Sequence, residues 1–308
     1  MNDLVRSLPS RLLPARATDA LRNGYHSLAT LLRLPESHFT RRVFARAPKS
    51  PRYLDSDMLP ALQARYASPA RYHYDALSLE KRGVRRADQL FRLPGGIRAT
   101  SFLELGCWDG MVGAALSRQG KQVTGIDSRD VGFDRRAMSA GVTLRQMDVA
   151  NLQFESETFD FVFSYDAFEH FPSPNTAFHE ALRVTKKGGY LFLDFGPLYY
   201  SAYGEHAYRS ITVPYCQFLW PQEVLQEFCQ DHGLESIDFN HVNRWSIEAF
   251  RRLWSSLGDA VTSVVYRERL NLSHLRLIRC FPSCFRSKSE TFDDFTVAGI
   301  TALFRKNF

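Results

Sequence analysis

Short apolar runs alternate with amphipathic segments between residues 99 and 200 of this chain. This alternation is typical of successive β-α units that build a parallel sheet. The pattern predicts strands at residues 101–105, 122–126, 143–147, 159–164 and 190–195. It also predicts helices at 111–119 and 175–184, and the pair Gly188-Gly189 is expected to end the second helix before the chain reverses. The region therefore has the pattern of an α/β protein.

The segments on either side of this region have different patterns. Before it, helical periodicity is broken by prolines, and a helix predicted at residues 76–93 ends at the turn Pro94-Gly95-Gly96. After it, the pattern predicts helices at 221–231 and 246–256, a strand at 235–239, and a last strand at 295–304, where apolar residues alternate.

Length and composition are those of a globular protein. A chain of 308 residues with 44% hydrophobic and 23% charged residues can bury a sizeable core. We predict a helical N-terminal extension over residues 1–98 and one domain over 99–308, with an insertion at about 244–292. No continuous run of about 18 apolar residues is present, so no transmembrane helix is predicted.

The N-terminal segment and the cysteines bear on location. Residues 1–14 alternate apolar with charged residues and lack the apolar core of a signal peptide. The five cysteines are odd in number and scattered, which favours reduced thiols. We therefore expect a cytoplasmic protein. We expect no metal at Cys280 and Cys284, because their spacing is wider than that of a zinc knuckle.

The net charge of +6 comes largely from the first fifty residues. Their basic side chains are Arg6, Arg11, Arg16, Arg22, Arg33, Arg41, Arg42, Arg46 and Lys49. Two interpretations stay open: a solvated basic face, or a surface that attracts phosphate-bearing substrates, nucleic acid or an anionic membrane. Residues 1–14 correspondingly fit either a helix that covers the domain or an amphipathic helix in peripheral contact with a membrane.

The segment 102–113, FLELGCWDGMVG, carries the clearest chemical signal. A predicted strand runs into a tight glycine turn and then into a helix. Because glycine has no Cβ, backbone N–H groups of the turn can approach a ligand closely, and the helix N-terminus adds a positive dipole end. Dinucleotide-binding enzymes share such a turn, so it does not identify the ligand by itself.

Two acidic residues follow at the ends of the next predicted strands. Asp127 ends the second strand, where a carboxylate can accept hydrogen bonds from both hydroxyls of a ribose. Its alternative role is to cap the next helix. Asp148 follows the third strand and can accept a hydrogen bond from an adenine amino group. The glycine turn and the two acids together indicate an adenosine-like ligand along the carboxyl edge of the sheet.

The order and spacing of these motifs resemble those of the class I S-adenosylmethionine-dependent methyltransferases, especially the branch that acts on small molecules. The resemblance covers residues 99–200 and includes the segments 159–170, FDFVFSYDAFEH, and 180–189, EALRVTKKGG. It implies S-adenosylmethionine as cofactor and a three-layer αβα sandwich, whose seven-stranded sheet is mostly parallel with an antiparallel last strand. The cofactor-binding residues that it implies are Glu104, Gly106, Cys107, Trp108, Gly110, Asp127, Ser128, Asp148, Val149 and Tyr165.

The chain departs from the family pattern at Trp108, where the first motif usually has a glycine. An indole cannot line the turn as a glycine does. We therefore expect this side chain to point outward, over the cofactor or into the substrate pocket. The departure affects the expected geometry of the loop more than the expected cofactor.

Two histidines are candidates for the general base that oxygen nucleophiles often need. His170 follows the fourth strand, and its alternative role is to orient the loop. His206 follows the fifth strand beside Glu205, in a loop rich in tyrosines; the alternative is a loop that packs on the helical insert. Glu205 and His206 are too few to indicate a metal site, and no metal is predicted.

The predicted function is methyl transfer from S-adenosylmethionine to an oxygen or nitrogen of a small molecule, such as a sugar, a lipid-linked intermediate or a secondary metabolite. Residues 164–167 read SYDA and lack the Asn/Asp-Pro-Pro-aromatic signature of base methylation, so no nucleic-acid partner is expected. One alternative is a methyltransferase-like binding or scaffold protein without catalysis. The other is an NAD(P)-dependent oxidoreductase, which predicts neither Asp148 nor the pattern at 159–170. The sequence indicates neither the acceptor nor the oligomeric state.

Overall fold

A computed structural model describes residues 28–69 and 73–308 of the chain. Within these ranges the main helices are α1 (Leu34–Arg46), α2 (Met58–Gln63), α3 (Ala76–Arg92), α4 (Met111–Ser117), α5 (Arg135–Ser139), α6 (Pro174–Val184), α7 (Cys216–Leu219), α8 (Gln222–Asp231), α9 (Ile247–Ser255), α10 (Leu275–Cys280), α11 (Pro282–Arg286) and α12 (Phe292–Thr296). The strands are β1 (Ser101–Leu105), β2 (Gln122–Asp127), β3 (Thr143–Gln146), β4 (Phe159–Tyr165), β5 (Thr185–Phe195), β6 (Val261–Leu270) and β7 (Val297–Lys306). The helix considered for residues 1–14 lies outside the described residues.

The strands form one seven-stranded sheet in the order β3-β2-β1-β4-β5-β7-β6. Neighbours from β3 to β5 are parallel, and β7 runs antiparallel to both β5 and β6. The predicted fold class, a mostly parallel sheet with an antiparallel last strand, is therefore confirmed. The chain first adds strands on one side of β1 and then continues on the other side with β4. In such sheets ligands bind at this switch point, outside the carboxyl ends of the strands.

The sheet lies between two helical layers because side chains alternate across each strand. On β1, Leu103 joins an apolar cluster that is covered by α6 and α9. Phe102, the residue before it, points to the opposite face and joins a cluster that is covered by α3 and α4. Both residues are completely buried. This burial on both faces explains why the central strands are nearly continuous apolar runs in the sequence.

A third apolar cluster lies beside the sheet and is here called the cap. It joins α1 and α2 to the segments 199–229 and 272–295. At its centre Phe44 of α1 is buried, with its ring centroid 5.6 Å from those of Phe292 and Phe295. The N-terminal helices thus divide between two places, since α3 packs on the sheet layer and α1 and α2 pack in the cap. None of the helices in the described part of the chain is both long and apolar enough to cross a bilayer.

Several predicted elements differ from those observed. The Gly188-Gly189 pair does not end α6, because β5 begins directly at Thr185. The pairing of β4 with β5 shifts between Phe159 and Phe161, and Gly188 adopts a left-handed φ of +72° within this irregularity. The glycine pair therefore forms a bulge inside the strand. The last strand begins at Val297 and not at residue 295, since α12 precedes it.

A strand was predicted at residues 235–239 and none forms there, whereas β6 was not predicted at all. Residues 235–239 lack a neighbouring strand, and the backbone oxygen of Glu235 instead accepts a hydrogen bond from the Ser210 hydroxyl at 2.6 Å. β6 is an edge strand with mostly exposed side chains, so its sequence carries no apolar alternation. It lies within residues 244–292, the range predicted as an insertion, and ten residues of that range belong to the sheet.

The contact between α3 and α4 is tight enough to test by adding one methyl group. A Cβ at Gly83 of α3 would lie 2.3 Å from the backbone oxygen of Met111 in α4. Alanine improves helix propensity by about 1 kcal/mol over glycine, but overpacking costs typically about 1–3 kcal/mol. Because a backbone atom cannot move aside without separating the helices, we expect Gly83→Ala to lower the free energy of unfolding by about 1–2 kcal/mol.

Chemical denaturation of the wild type and of Gly83→Ala measures the difference in their free energies of unfolding. Lys81→Ala, an exposed substitution on the same helix, serves as the control and should change the unfolding free energy by less than about 0.5 kcal/mol. A Gly83→Ala variant that is more stable than the wild type would contradict the close contact.

Candidate active site

A cavity of about 970 Å³ lies at the carboxyl edge of the sheet, at the switch point between β1 and β4. The ends of β1, β2, β4 and β5 form its floor, and α3 covers one side. Its lining residues include Arg82, Arg86, Glu104, Gly106, Cys107, Trp108, Asp109, Asp127, Ser128, Asp148, Val149, Tyr165, Asp166, Glu169, His170, His206, Tyr208 and His241.

The cavity brings together nearly all the site residues that were predicted from the sequence. Nine of the ten cofactor-binding candidates line it, together with both candidate histidines. The exception is Gly110, which lies behind the turn with a φ of +73°. A Cβ at this position would lie 2.8 Å from the Leu144 side chain. Gly110 therefore shapes the turn from behind and does not face the cavity.

The glycine turn after β1 has the conformation that the sequence indicated. Gly106 has a φ of +69°, and a Cβ on it would lie 2.4 Å from the Cβ of Ala167. Only glycine fits this position without strain. Beyond the turn, the backbone N–H of Cys107 donates to the Ile126 oxygen at 2.9 Å, which ties the turn to the end of β2.

The two strand-end acids accept local backbone hydrogen bonds and face the cavity. The Asp127 carboxylate accepts from the backbone N–H of Trp108 at 3.0 Å and from that of Arg129 at 3.3 Å. The Asp148 carboxylate accepts from the backbone N–H of Ala150 at 2.8 Å. Each carboxylate can accept about four hydrogen bonds, so both retain capacity for a ligand. The hydrogen bonds hold the carboxylates in place before a ligand arrives.

Glu104, at the end of β1, is a buried carboxyl group that faces the cavity. Its Oε2 atom is buried and has no hydrogen-bond partner among the described residues. Burial raises the pKa of Glu104 well above its ordinary value, and the nearby Asp109 raises it further. An isolated buried oxygen of this kind is costly, so it is best explained by a ligand group that bonds to it.

Two arginines of α3 reach the cavity and were missed by the sequence predictions. The Arg82 guanidinium pairs with Asp109 at 3.3 Å. Arg86 forms an ion pair with Asp166, and its guanidinium lies 4.7 Å from the ring centroid of Tyr165. The helical periodicity of residues 76–93 predicted helix α3. No local motif, however, indicated which of its arginines face the cavity. Asp109 lies within the glycine-turn segment 102–113, so it could have been identified from the sequence as a site residue.

Trp108 lies at the mouth of the cavity, and its side chain is 43% exposed. Its backbone has a φ of +46°, which is uncommon for a residue other than glycine. The hydrogen bond from its N–H to Asp127 holds the backbone in this conformation. The indole packs beside Gly132, and the Arg129 guanidinium lies 5.5 Å from the ring. The outward orientation that was expected of the indole agrees with this exposure.

Three histidines meet at the end of the cavity that is formed by the loops after β4 and β5. His170 lies in a short 3₁₀ turn, His206 in the loop after β5, and His241 in the irregular segment before α9. The ring centroids of His170 and His206 are 5.0 Å apart, those of His206 and His241 5.1 Å, and those of His170 and His241 5.5 Å. His241 was not predicted, because it follows no strand end and belongs to no local motif.

Each of these histidines bonds to a backbone carbonyl through one ring nitrogen. His170 uses Nδ1 to bond to the His241 oxygen at 2.7 Å, and His206 uses Nε2 to bond to the Pro197 oxygen at 3.3 Å. His241 uses Nδ1 to bond to the Asp238 oxygen. A carbonyl oxygen only accepts, so the bonded nitrogen of each ring carries a proton; when the ring is neutral, its other nitrogen has a free lone pair.

Burial keeps two of these rings neutral. It lowers the pKa of His170 below its ordinary value. Burial, together with the neighbouring His170 and His241, lowers the pKa of His206 to about 3. The carboxyl group of Glu205, the residue before His206, is buried without a hydrogen-bond partner among the described residues. It therefore does not bond to the His206 ring.

The fold and the position of the cavity define a Rossmann-like methyltransferase fold, and comparison with known proteins leads to the same class. Residues 103–193 match a family described as methyltransferase domain. Over these residues, the resemblance to class I S-adenosylmethionine-dependent methyltransferases that was noted in the sequence is confirmed.

Curated relatives are similar over part of the chain. The ubiquinone biosynthesis O-methyltransferase of Alkalilimnicola ehrlichii is 31% identical over 112 residues, which cover 34% of this chain and 45% of that protein. The protein of the same name from Coxiella burnetii is 24% identical over 161 residues, 48% of this chain and 68% of that protein. The chain thus spans about half to two thirds of the length of these relatives. A solved methyltransferase from Methanosarcina mazei is 19% identical, with a TM-score of 0.44 over 67% of this chain and 92% of that one.

Glu169 gives a pH-dependent prediction for the stability of the protein. Its Oε1 accepts from the backbone N–H of Gly196 at 2.9 Å, while its buried Oε2 has no partner among the described residues. Burial, with help from Asp166, raises the pKa of Glu169 to about 8. The folded state therefore binds a proton that the unfolded state releases above its ordinary pKa, and stability falls as the pH rises from about 4.5 to 8.

We expect Glu169→Gln to remove this loss, because the amide keeps an acceptor for Gly196 and cannot ionise. Relative to the wild type, the variant should gain at least about 1 kcal/mol of unfolding free energy between pH 5 and pH 8. Denaturant unfolding at several pH values, without added cofactor, measures the gain. The exposed substitution Glu227→Gln serves as the control. Parallel stability curves for wild type and Glu169→Gln would contradict the raised pKa.

Proposed function

We propose that this chain transfers the methyl group of S-adenosylmethionine to an oxygen atom of a small-molecule acceptor. One observation carries the proposal. A single cavity extends from the glycine turn and the two strand-end acids to the three histidines, so it offers a nucleoside-type site and proton-accepting groups within the same space. The assignment to oxygen is supported by the curated relatives, which are named O-methyltransferases.

The cofactor half of the cavity comprises the turn and the acids of the first three strands. We assign the ribose hydroxyls to Asp127 and the adenine amino group to Asp148, since both carboxylates are held in place with acceptor capacity remaining. The unpartnered Oε2 of Glu104 suits the ammonium group of the methionine part. Cys107, Ser128, Val149 and Tyr165 are assigned to the walls around the cofactor.

The reaction itself needs alignment more than chemical activation. When bound, S-adenosylmethionine would supply a methyl group on a sulfonium; transfer of that group to a lone pair of the acceptor oxygen would leave the carbon–sulfur electron pair on sulfur, in S-adenosylhomocysteine. The sulfonium is already a good leaving group, so the protein must mainly hold the two reactants in line and exclude water. Helix α3 covers one side of this space and contributes Arg82 and Arg86 to its lining.

The hydroxyl of the acceptor must lose its proton during the attack, and the histidine end of the cavity can take it. We assign this role to His170, whose Nδ1–H bonds to the His241 oxygen so that Nε2 keeps its lone pair. His206 is the weaker candidate, since burial and two neighbouring imidazoles lower its pKa to about 3. A ring that holds a proton so poorly is less effective as a general base near neutral pH.

Calorimetric titration of the purified chain tests the cofactor assignment. We expect saturable binding of S-adenosylmethionine and S-adenosylhomocysteine and none of NADH. Asp127→Ala should weaken binding of both by about tenfold to a hundredfold, because it removes hydrogen bonds worth about 1–3 kcal/mol. Asp130→Ala, an exposed acid three residues away, is the matched control and should bind like the wild type.

Transfer itself is tested by incubating the protein with methyl-labelled cofactor and fractions of small-molecule extracts, then following label in the products. Cofactor binding without transfer to any fraction would favour the scaffold alternative. Equal cofactor affinity in wild type and Asp127→Ala would remove Asp127 from the site.

His170→Asn should reduce turnover while leaving the cofactor affinity unchanged. Asparagine keeps an amide donor for the His241 oxygen but lacks the Nε2 lone pair, so the loss reports on proton transfer and not on loop structure. We expect kcat to fall by about 10²–10⁴-fold, measured with the accepted substrate in the presence of a chelator. His179→Asn, on the exposed face of α6, is the control. Full activity of His170→Asn would exclude this residue as the base.

A further inference from the structure

We infer that His170, His206 and His241 form a binding site for one divalent transition-metal ion of the zinc type. One ring nitrogen from each histidine lies within 4.8 Å of those of the other two. Imidazole nitrogen is a favoured ligand of such ions. The three residues come from separate segments of the chain, so only the fold brings them together.

The spacing of the rings matches a metal-bound set. In a tetrahedral zinc site with Zn–N bonds of about 2.0–2.1 Å, the centroids of two coordinating imidazoles lie roughly 5.2 Å apart. The observed separations are 5.0, 5.1 and 5.5 Å. The centroid separations are therefore those of a metal-bound set, and the ring nitrogens, which lie within 4.8 Å of one another, would move closer together around the ion.

The protonation of the rings is also that of metal ligands. Metal-bound histidines almost always donate their second ring N–H to a carboxylate, a backbone carbonyl or water. Here each of the three rings bonds to a backbone carbonyl, of His241, Pro197 and Asp238 respectively. In a neutral ring the opposite nitrogen is then the one available for coordination.

Hydrogen bonds join the segment that carries His241 to the segment that carries His170. The segment with His241 is joined to the 3₁₀ turn of His170 by the backbone N–H of Asn243, which donates to the Glu169 oxygen at 2.8 Å. The Asn243 side chain also donates to the Phe168 oxygen at 2.9 Å. The backbone of His206 adopts a left-handed conformation with a φ of +54°. Such local strain is found mostly at functional sites.

Three protein ligands leave one position of a tetrahedral site open, which is the arrangement of catalytic and not structural zinc. All three histidines line the cavity, so the open position faces the space assigned to the acceptor. An ion there would bind the acceptor oxygen and favour loss of its proton to solvent water. In that state the His170 lone pair is used for coordination, and this part of the inference rests on the proposed function.

Metal binding is tested directly on the full chain, with any affinity tag removed and without cofactor or acceptor. Zn²⁺ titration by calorimetry should show one ion per chain, and Co²⁺ should give the visible absorption bands of tetrahedral coordination. His170→Asn, His241→Asn and His206→Gln keep an amide donor for the backbone carbonyl and remove the coordinating nitrogen. Each should weaken zinc binding by at least about tenfold.

Two matched controls exclude other zinc ligands. His179→Asn removes an exposed histidine, and Cys280→Ser removes the exposed thiol, and both should bind zinc like the wild type. Zinc X-ray absorption of the wild type should show three imidazole donors at roughly 2.0–2.1 Å, a result that needs no variant to fold. Absence of saturable binding, or binding that His241→Asn leaves unchanged, would overturn the site. Either result leaves the cofactor titration, and hence the proposed function, unaffected.

Discussion

The parallel pairing of β1 with both β2 and β4 is the constraint on which the placement of the site depends. Glu104 of β1 lies opposite Gly125 of β2 on one side and Phe163 of β4 on the other. Because parallel strands end at the same edge, this register brings Gly106, Asp127 and the turn of His170 to one place, although the sequence separates them widely. A change of register would move the groups apart and expose the buried faces of the strand.

The remaining walls of the cavity depend on elements outside this sheet edge. Helix α3 approaches α4 closely because position 83 lacks a side chain, and its two arginines then pair with Asp109 and Asp166. The loop after β5 begins at the end of the sheet and continues into the cap, so His206 is held by packing on both. The cavity thus lies where the sheet edge, helix α3 and the cap meet. Ligand sites commonly lie between packed units of this kind.

The sequence predicted what local patterns encode. The five strands from β1 to β5 and the turn between β1 and α4 were found because each is a short apolar run or a glycine signal within a few residues. The edge strand β6 was missed because its stability comes from pairing with β7, and its own side chains are mostly exposed. The strand predicted at 235–239 fails for the opposite reason, since its pattern has no partner strand. His241 lies outside any motif, so only the tertiary structure shows its position beside His170 and His206.

The two ends of the cavity differ in their ionisable groups, with a buried carboxyl group at one end and imidazoles at the other. At the end lined by Glu104, burial and the nearby Asp109 raise the pKa of this carboxyl group. In the proposed complex, the sulfonium and ammonium groups of S-adenosylmethionine would supply positive charge there, so cofactor binding and the ionisation of Glu104 would favour each other. At the other end burial and the neighbouring imidazole of His241 lower the pKa values of His170 and His206, so these two rings resist protonation. The neutral rings of His170 and His206 therefore keep lone pairs, which can accept a proton or bind a metal ion.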